Sequence, residues 1–187
     1  LFKFVQNNGA LTLYRSFGYR QLMSNVNKNW TGNIQSSEQA NQDMILKQLC
    51  HAFNTSPFFK FNHMQMRPVD GHIEAYVEMQ PELVGNVAFQ ILHGGVAATL
   101  LDSLGGVVTM AKLYSQAKDD DLAETAKKAA RVATVDMRVD YLAPGRGKFF
   151  TARAEILRLG RKGSTTRMTM INDEGKPIAT AIASYAF

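Results

Sequence analysis

An α+β fold, with an antiparallel β-sheet wrapped around one long central helix, is what this 187-residue sequence predicts. Two observations carry the prediction. Residues 94–114 are apolar nearly all round, so a helix there must be buried on most sides. The segments flanking it alternate apolar and polar residues or are rich in β-branched ones, with turn chemistry between them. They make two strands before the helix and four after it, the last four read as a meander, and such strands bury a helix as an antiparallel sheet. The length suits one domain with a sizeable core, or one domain plus an extension.

The elements follow in order. Residues 1–36 hold Lys3, Arg15, Arg20 and Lys28 and no acid, and read as a basic N-terminal arm; residues 37–187 read as the domain. The arm's acid-poor amphipathic start has some transit-peptide character, but a floppy or surface-packed arm is the expectation. Ser37 reads as the N-cap of a helix to about residue 53, with Met44, Ile45, Leu49 and Phe53 at helical spacing. Pro57 ends it. Strands at 58–67 and 71–79 flank a Pro-Val-Asp-Gly turn, and in the second Ile73, Ala75, Val77 and Met79 form the buried face. Residues 81–90 are a loop. After the central helix comes a charged break at 118–121. Asp121-Leu122-Ala123-Glu124 resembles a capping box opening a short helix to about Ala130, a helical insert that either covers an apolar pocket or braces the domain. Strands at 132–141, 148–157, 164–171 and 178–185 are joined by Pro144-Gly145, Gly160 to Gly163 and Asp173-Glu174-Gly175, all good turn chemistry. In the first of them Val135, Met137, Val139 and Tyr141 alternate.

The net charge of +5 is unevenly spread: residues 1–36 carry +4, residues 131–187 another +5, and the middle is acidic. A basic C-terminal half suits an anionic partner. No run combines dense Lys/Arg with interleaved aromatics and no zinc spacing exists, so a nucleic-acid role rests on charge alone and a phosphorylated small molecule fits at least as well. The single cysteine, Cys50, excludes an intrachain disulfide and reads as a packed thiol on a helix face. The remaining histidines have no metal-ligand spacing. No run reads as a membrane span, which needs roughly 18 apolar residues. A cytoplasmic protein is expected. The nine methionines read as core filler, with Met110 placed to suit a flexible apolar ligand.

The most informative stretch is Ile91-Leu92-His93-Gly94-Gly95 and, nine positions after the histidine, Asp102. A helix start presents unpaired N–H groups and a partial positive charge, and glycine there admits a ligand close to the backbone. Asp102 sits inside an apolar run, where an ionisable residue either has a chemical task or a structural partner. A donor and a lone acid are the parts needed to stabilise an oxyanion and activate water. Eight residues separate Gly94 from Asp102, roughly 12 Å along a helix, so one chain cannot bring both to one carbonyl carbon. If both act on one substrate, a second copy must contribute, which predicts a homodimer with composite sites.

The order of elements, with Leu-His-Gly-Gly and Leu-Leu-Asp at this spacing, resembles the hotdog fold, and more narrowly the PaaI-like branch of the 4-hydroxybenzoyl-CoA thioesterase superfamily. The strand Thr134-Val135-Asp136-Met137-Arg138-Val139-Asp140-Tyr141-Leu142-Ala143-Pro144-Gly145 and the terminal hairpin around Asn172-Asp173-Glu174-Gly175 carry the resemblance further. It covers residues 56–187 and is similar in detail to the bacterial YigI-type acyl-CoA thioesterases, which share the helical insert and a strand ending Tyr-Leu-x-Pro-Gly-Arg-Gly. The resemblance implies an acyl-CoA substrate, with the alternative of a non-catalytic acyl-CoA-binding module, and no metal or redox cofactor. It implies that Gly94 N–H polarises the thioester carbonyl and that the partner's Asp102 serves as base or nucleophile. His93 would orient the turn or assist at the carbonyl, Thr134 would hold the water, and Gly95 would line the substrate. Relatives place a functional Asn six residues before the His; here Asn86 is seven before, so it serves only if the chain bulges by one residue. Coenzyme A carries several phosphates, and Arg146, Arg158, Arg161 and Lys162, clustered at two turns, would meet them. The acyl group points weakly to a medium or long aliphatic chain, and the assembly to a dimer or a tetramer of two dimers.

Overall fold

The computed structural model describes residues 34–117 and 121–187. The basic arm up to residue 33 and most of the charged break at 118–120 lie outside the described residues. Residues 41–187 form one unit with one core; of the other unit, Leu1–Ala40, only residues 34–40 are described.

Helix α1 spans Ile34–Thr55, so Ser37 lies within its first turns and is not its cap. Its buried face is set by Leu46 and Cys50 with Leu49 and Phe53 beside them, while Met44 is exposed, one step round from the face its spacing predicts. The strand expected from residue 58 is corrected: Pro57–Phe61 forms a short helix, α2. Ser56 is extended and its Oγ accepts the Phe59 N–H at 3.2 Å, and Pro57 occupies the first helical position, where a missing N–H costs nothing. Three aromatics in this stretch look strand-like, but the Ser-Pro pair decides.

Strand β1 (Met64–Val69) pairs antiparallel with β2 (His72–Glu78), Val69 opposite His72. Asp70 and Gly71 take φ of 48° and 76°, the left-handed pair a two-residue hairpin loop requires. Ile73, Ala75 and Val77 are buried as alternation predicts. The loop at 81–90 contains more structure than expected: a 3-10 turn at Pro81–Leu83 and a small ladder of β3 (Val84–Asn86) with β4 (Ile91–Leu92). Helix α3 (Gly94–Ser115) follows, then α4 (Leu122–Ala130). Asp121 stands before α4 but its side chain makes no cap bond, so the capping box is not formed. Thr125 and Ala129 of α4 are buried, and α4 packs against α3.

The last strands are β5 (Ala133–Tyr141), β6 (Phe149–Leu159), β7 (Gly163–Asn172) and β8 (Pro177–Ala186). The sheet order is β1-β2-β6-β7-β8-β5, all antiparallel. Only β6 to β8 form a meander; β5 crosses over and pairs with β8 at the far edge, which corrects the four-strand meander. An edge position explains a second departure. Val135, expected on the buried face, sits in a bulge between Thr134 and Asp136 and is 68% exposed, and Tyr141 is also exposed.

Helix α3 packs against β2, β5, β6, β7 and β8, with Ala97, Leu100, Leu101, Leu104 and Val107 buried among Val77, Phe150, Met168, Met170 and Ala181. Met66, Met168 and Met170 are core residues, as the composition predicts. By length and composition alone α3 could cross a membrane, which the sequence reading excludes too firmly; in the fold it is the core helix of the sheet.

Cys50 is 3% exposed, and burial pushes its thiol from 9.0 up to about 11. The unfolded thiol ionises near 9 and the folded one near 11, so between them only the unfolded state gives up its proton. The stability this thiol contributes is present below pH 9 and lost as pH climbs to 11. Melting curves from pH 8 to 11 should therefore fall more steeply for the wild type than for Cys50→Ala. Equal slopes would show that the buried thiol is not felt.

Candidate active site

The residues singled out by the sequence assemble in two groups along α3. The first is at the helix start. Leu92 N–H donates to Gly145 O at 2.9 Å and His93 N–H to Leu83 O at 2.8 Å, so the turn is tied on both sides. His93 is extended (φ −63°, ψ 130°) and caps the helix: its Nδ1 accepts the Gly95 N–H at 2.9 Å and its carbonyl accepts Val96 N–H at 2.9 Å. With Nδ1 accepting, a neutral imidazole carries its proton on Nε2. His93 thus orients the turn, and it occupies the Gly95 N–H. The Gly94 N–H has no acceptor among the described residues, at the end of the helix where partial positive charge collects. The Gly94 carbonyl is held by Tyr141 Oη at 2.9 Å.

Asn86 stands on β3. The pairing of Val84 with Leu92 and Asn86 with Ile91 leaves Gly85 as the extra residue, on the side of Asn86 away from His93, so the bulge does not shorten the spacing from Asn86 to His93. Asn86 Oδ1 accepts the Phe89 N–H at 3.2 Å, and the Arg146 guanidinium lies 5.9 Å from the Phe89 ring centre. Arg146 therefore belongs to the helix-start group.

The second group surrounds Asp102, more than two turns along α3 and half-buried. Thr134 Oγ1 donates to Asp102 Oδ1 at 2.8 Å. Tyr185 Oη donates to the Asp102 main-chain carbonyl at 2.9 Å and lies 3.5 Å from Oδ1. Burial, then the Asp102 charge, then this hydrogen bond hold the Tyr185 phenol far above its ordinary 10.0. Beside Tyr185 opens a groove of about 450 Å³ lined by Val135, Arg158, Arg161, Lys162 and Ser184. The other arginines of the sheet are engaged, Arg138 with Asp140, Arg153 with Glu74 and Arg167 with Glu155. Among the described residues none of Arg146, Arg158, Arg161 and Lys162 is paired with a carboxylate, and no three His, Cys, Asp or Glu side chains converge as a metal site.

Three residues of these groups are not among the expected site residues. Tyr141 lies in the strand that carries the resemblance but with no role of its own, and Tyr185 looks like an ordinary strand residue. The signal for Tyr185 is the Gly105-Gly106 pair in the middle of an apolar helix, where glycine costs about 1 kcal/mol against alanine unless something must come close. Gly85 is the third. A Cβ there would lie 2.6 Å from His93 Cα and 2.8 Å from its Cβ and Cδ2, so main chain would have to move. Gly85→Ala is expected to displace the His93 turn and lower kcat/KM by on the order of a hundredfold, since a misplacement of about 1 Å costs that much. Unchanged steady-state kinetics would show that the turn does not depend on this contact.

The antiparallel sheet packed round a long central helix is the hotdog fold expected from the sequence, and a family model described as the thioesterase superfamily matches residues 89–179. The chain belongs to this superfamily. The medium/long-chain acyl-CoA thioesterase YigI of Escherichia coli (strain K12) is 42% identical over 106 residues, which cover 57% of this chain and 68% of that protein. A crystal structure from Shewanella oneidensis, described as related to the thioesterase superfamily, is similar at a TM-score of 0.73 and 37% identity, covering 78% of this chain and 96% of that one. The Bacillus halodurans protein BH2602, crystallised with CoA, shares the fold at a TM-score of 0.56 and 20% identity, over 83% of this chain and 95% of its own.

Proposed function

We propose that this chain hydrolyses acyl-CoA thioesters to the free acid and coenzyme A. The observation that carries the reading is the pair formed by an unbonded Gly94 N–H at a helix start and an Asp102 carboxylate whose Oδ1 is held by Thr134. Oδ2 is left to take a proton. Water attacks the thioester carbon while Asp102 accepts its proton, and the carbonyl oxygen becomes an oxyanion stabilised at Gly94. Collapse of this intermediate breaks the C–S bond, the acid leaves, and the proton returns to the thiolate sulfur. In the alternative sequence Asp102 itself attacks and expels the thiolate, and water then opens the mixed anhydride at the Asp102 carbonyl; a single turnover in heavy-oxygen water then labels Asp102, which the first sequence does not.

The rise of an α-helix puts Gly94 and Asp102 roughly 12 Å apart on one continuous helix. The reading therefore has the two groups meet across a homodimer, Gly94 from one protomer and Asp102 from its partner. Support comes from β5, an edge strand that carries Thr134 and ends at the exposed Tyr141 and Leu142. The unpaired Arg158, Arg161 and Lys162 of the groove beside Tyr185 suit the phosphates of coenzyme A, with Arg146 at the other group. The chemistry calls on side chains and one backbone N–H alone.

The similarity to YigI favours a medium or long acyl chain, and the half-buried Met110 on α3 suits a flexible one. A panel of acyl-CoA substrates of increasing chain length, read by thiol release, tests the proposal. Turnover rising toward medium or long chains is expected. Tight acyl-CoA binding without thiol release would instead assign a binding module.

A further inference from the structure

We infer that Tyr185 is a positioning residue for Asp102, set in place by Gly105. This inference rests on the hydrolytic reading above. Tyr185 is 2% exposed, on the inward face of β8 with Ala179, Ala181 and Ala183. The other inward residues near the end of that strand are alanines, so the tyrosine is the one large ring on that face of β8. A phenol buried at such a place needs a partner for its hydroxyl. It has one in the Asp102 carbonyl at 2.9 Å, with Asp102 Oδ1 at 3.5 Å. Phenylalanine would fill the same space without that demand.

The helix is cut to receive the ring. A Cβ on Gly105 would overlap Tyr185 Oη, and one on Gly106 would lie 3.7 Å from the ring. Glycine in a helix interior is unfavourable against alanine; at Gly105 the approach of Tyr185 explains it, while at Gly106 a Cβ would make only ordinary contact. The sheet supplies the rest of the geometry. Thr134 and Tyr185 face each other across β5 and β8, so two hydroxyls arrive at Asp102 from neighbouring strands. One holds Oδ1 directly. The other holds the main chain of the same residue and approaches the same oxygen. Together they fix both where Asp102 sits and how its carboxylate turns, with Oδ2 directed away from the two hydroxyls. Tyr185 touches neither water nor thioester in this scheme; it acts through Asp102.

Three variants test it, each assayed by acyl-CoA thiol release below its own melting temperature. Tyr185→Phe keeps the ring, so the core stays filled; kcat should fall roughly two- to tenfold, the range set by a hydrogen bond to a neutral carbonyl, with KM within about twofold. Gly105→Ala should lower kcat similarly and also lower Tm, because the ring must move. In the double variant the hydroxyl contact is gone but the Cβ would still lie 2.7 and 2.9 Å from the ring carbons Cζ and Cε2: Tm should recover only in part toward that of Tyr185→Phe, while kcat stays at the Tyr185→Phe level. A purely structural tyrosine would give wild-type kcat in Tyr185→Phe, which overturns the inference. The outcome separates cleanly from the reading beneath it: if Asp102→Asn silences turnover and Tyr185→Phe does not, positioning alone fails; if Asp102→Asn keeps full activity, the hydrolytic reading fails.

Discussion

Asp102→Asn is expected to lower kcat on acyl-CoA by roughly 10²–10⁴, the span associated with loss of a general base, while the chain stays folded. The amide has almost the shape of the carboxylate. Its oxygen can still accept from Thr134 Oγ1, which lies 2.8 Å from Oδ1 in the wild type. The main-chain bond from Tyr185 is untouched. What changes is the second atom: Oδ2 becomes an NH₂ group, which can neither take a proton from water nor attack a carbonyl. Because Asp102 is only half-buried, removing its charge should shift Tm little. Thiol release with a parallel thermal melt reads both quantities. A variant that keeps wild-type kcat would remove Asp102 from the chemistry altogether.

The second large effect concerns the other half of the site. Gly94→Pro deletes the N–H proposed to hold the oxyanion and disturbs little else. Gly94 is the first residue of α3, where proline is well tolerated, and His93 is already in the extended conformation that proline demands of its predecessor. The new Cβ would meet the Tyr141 ring at 3.1–3.3 Å, so that exposed ring must give by a few tenths of an ångström. Loss of one oxyanion donor costs on the order of 10²–10³ in kcat. Gly94→Ala, which keeps the N–H and adds the same Cβ, is the control, and equal losses in both would assign the effect to packing. The two dead variants also test the composite site. If Gly94 of one protomer works with Asp102 of its partner, a mixed dimer of Asp102→Asn and Gly94→Pro has one intact site out of two. Equal mixing under conditions of subunit exchange should then recover roughly a quarter of wild-type activity. No recovery despite proven exchange would place both groups' function within one chain.

Much of the fold is legible in the residues. Period-two alternation in β2, the Asp70-Gly71 loop and the all-round apolar run of α3 each follow from local chemistry that tertiary context reinforces. The departures have identifiable causes. Residues 57–61 look like a strand because they are aromatic, yet Ser56 and Pro57 supply a helix start that acts at shorter range. Asp121 has a suitable side chain for a cap but makes no cap bond among the described residues. In β5, alternation reads Val135 as inward, and a bulge opposite β8 turns it out; a one-residue register shift cannot be seen from one strand alone. The same holds on the other side of the site, where the bulge at Gly85 is visible only once β3 and β4 are paired.

The sequence by itself determined the candidate residues: a His-Gly-Gly helix start, an acid too far along the same helix for one chain to bring both to one carbon, and basic residues clustered at two turns. Spacing along one helix is local geometry, and local geometry is what a sequence encodes most directly. Only the tertiary structure decided what surrounds them. It put Thr134 and Tyr185, far apart from Asp102 in sequence, on the strand pair that holds it, and it moved β5 to the sheet edge. It gave His93 Nδ1 the Gly95 N–H, leaving Gly94 as the open donor. Those outcomes depend on strand order, bulges and the room made by glycines, which exist only between elements.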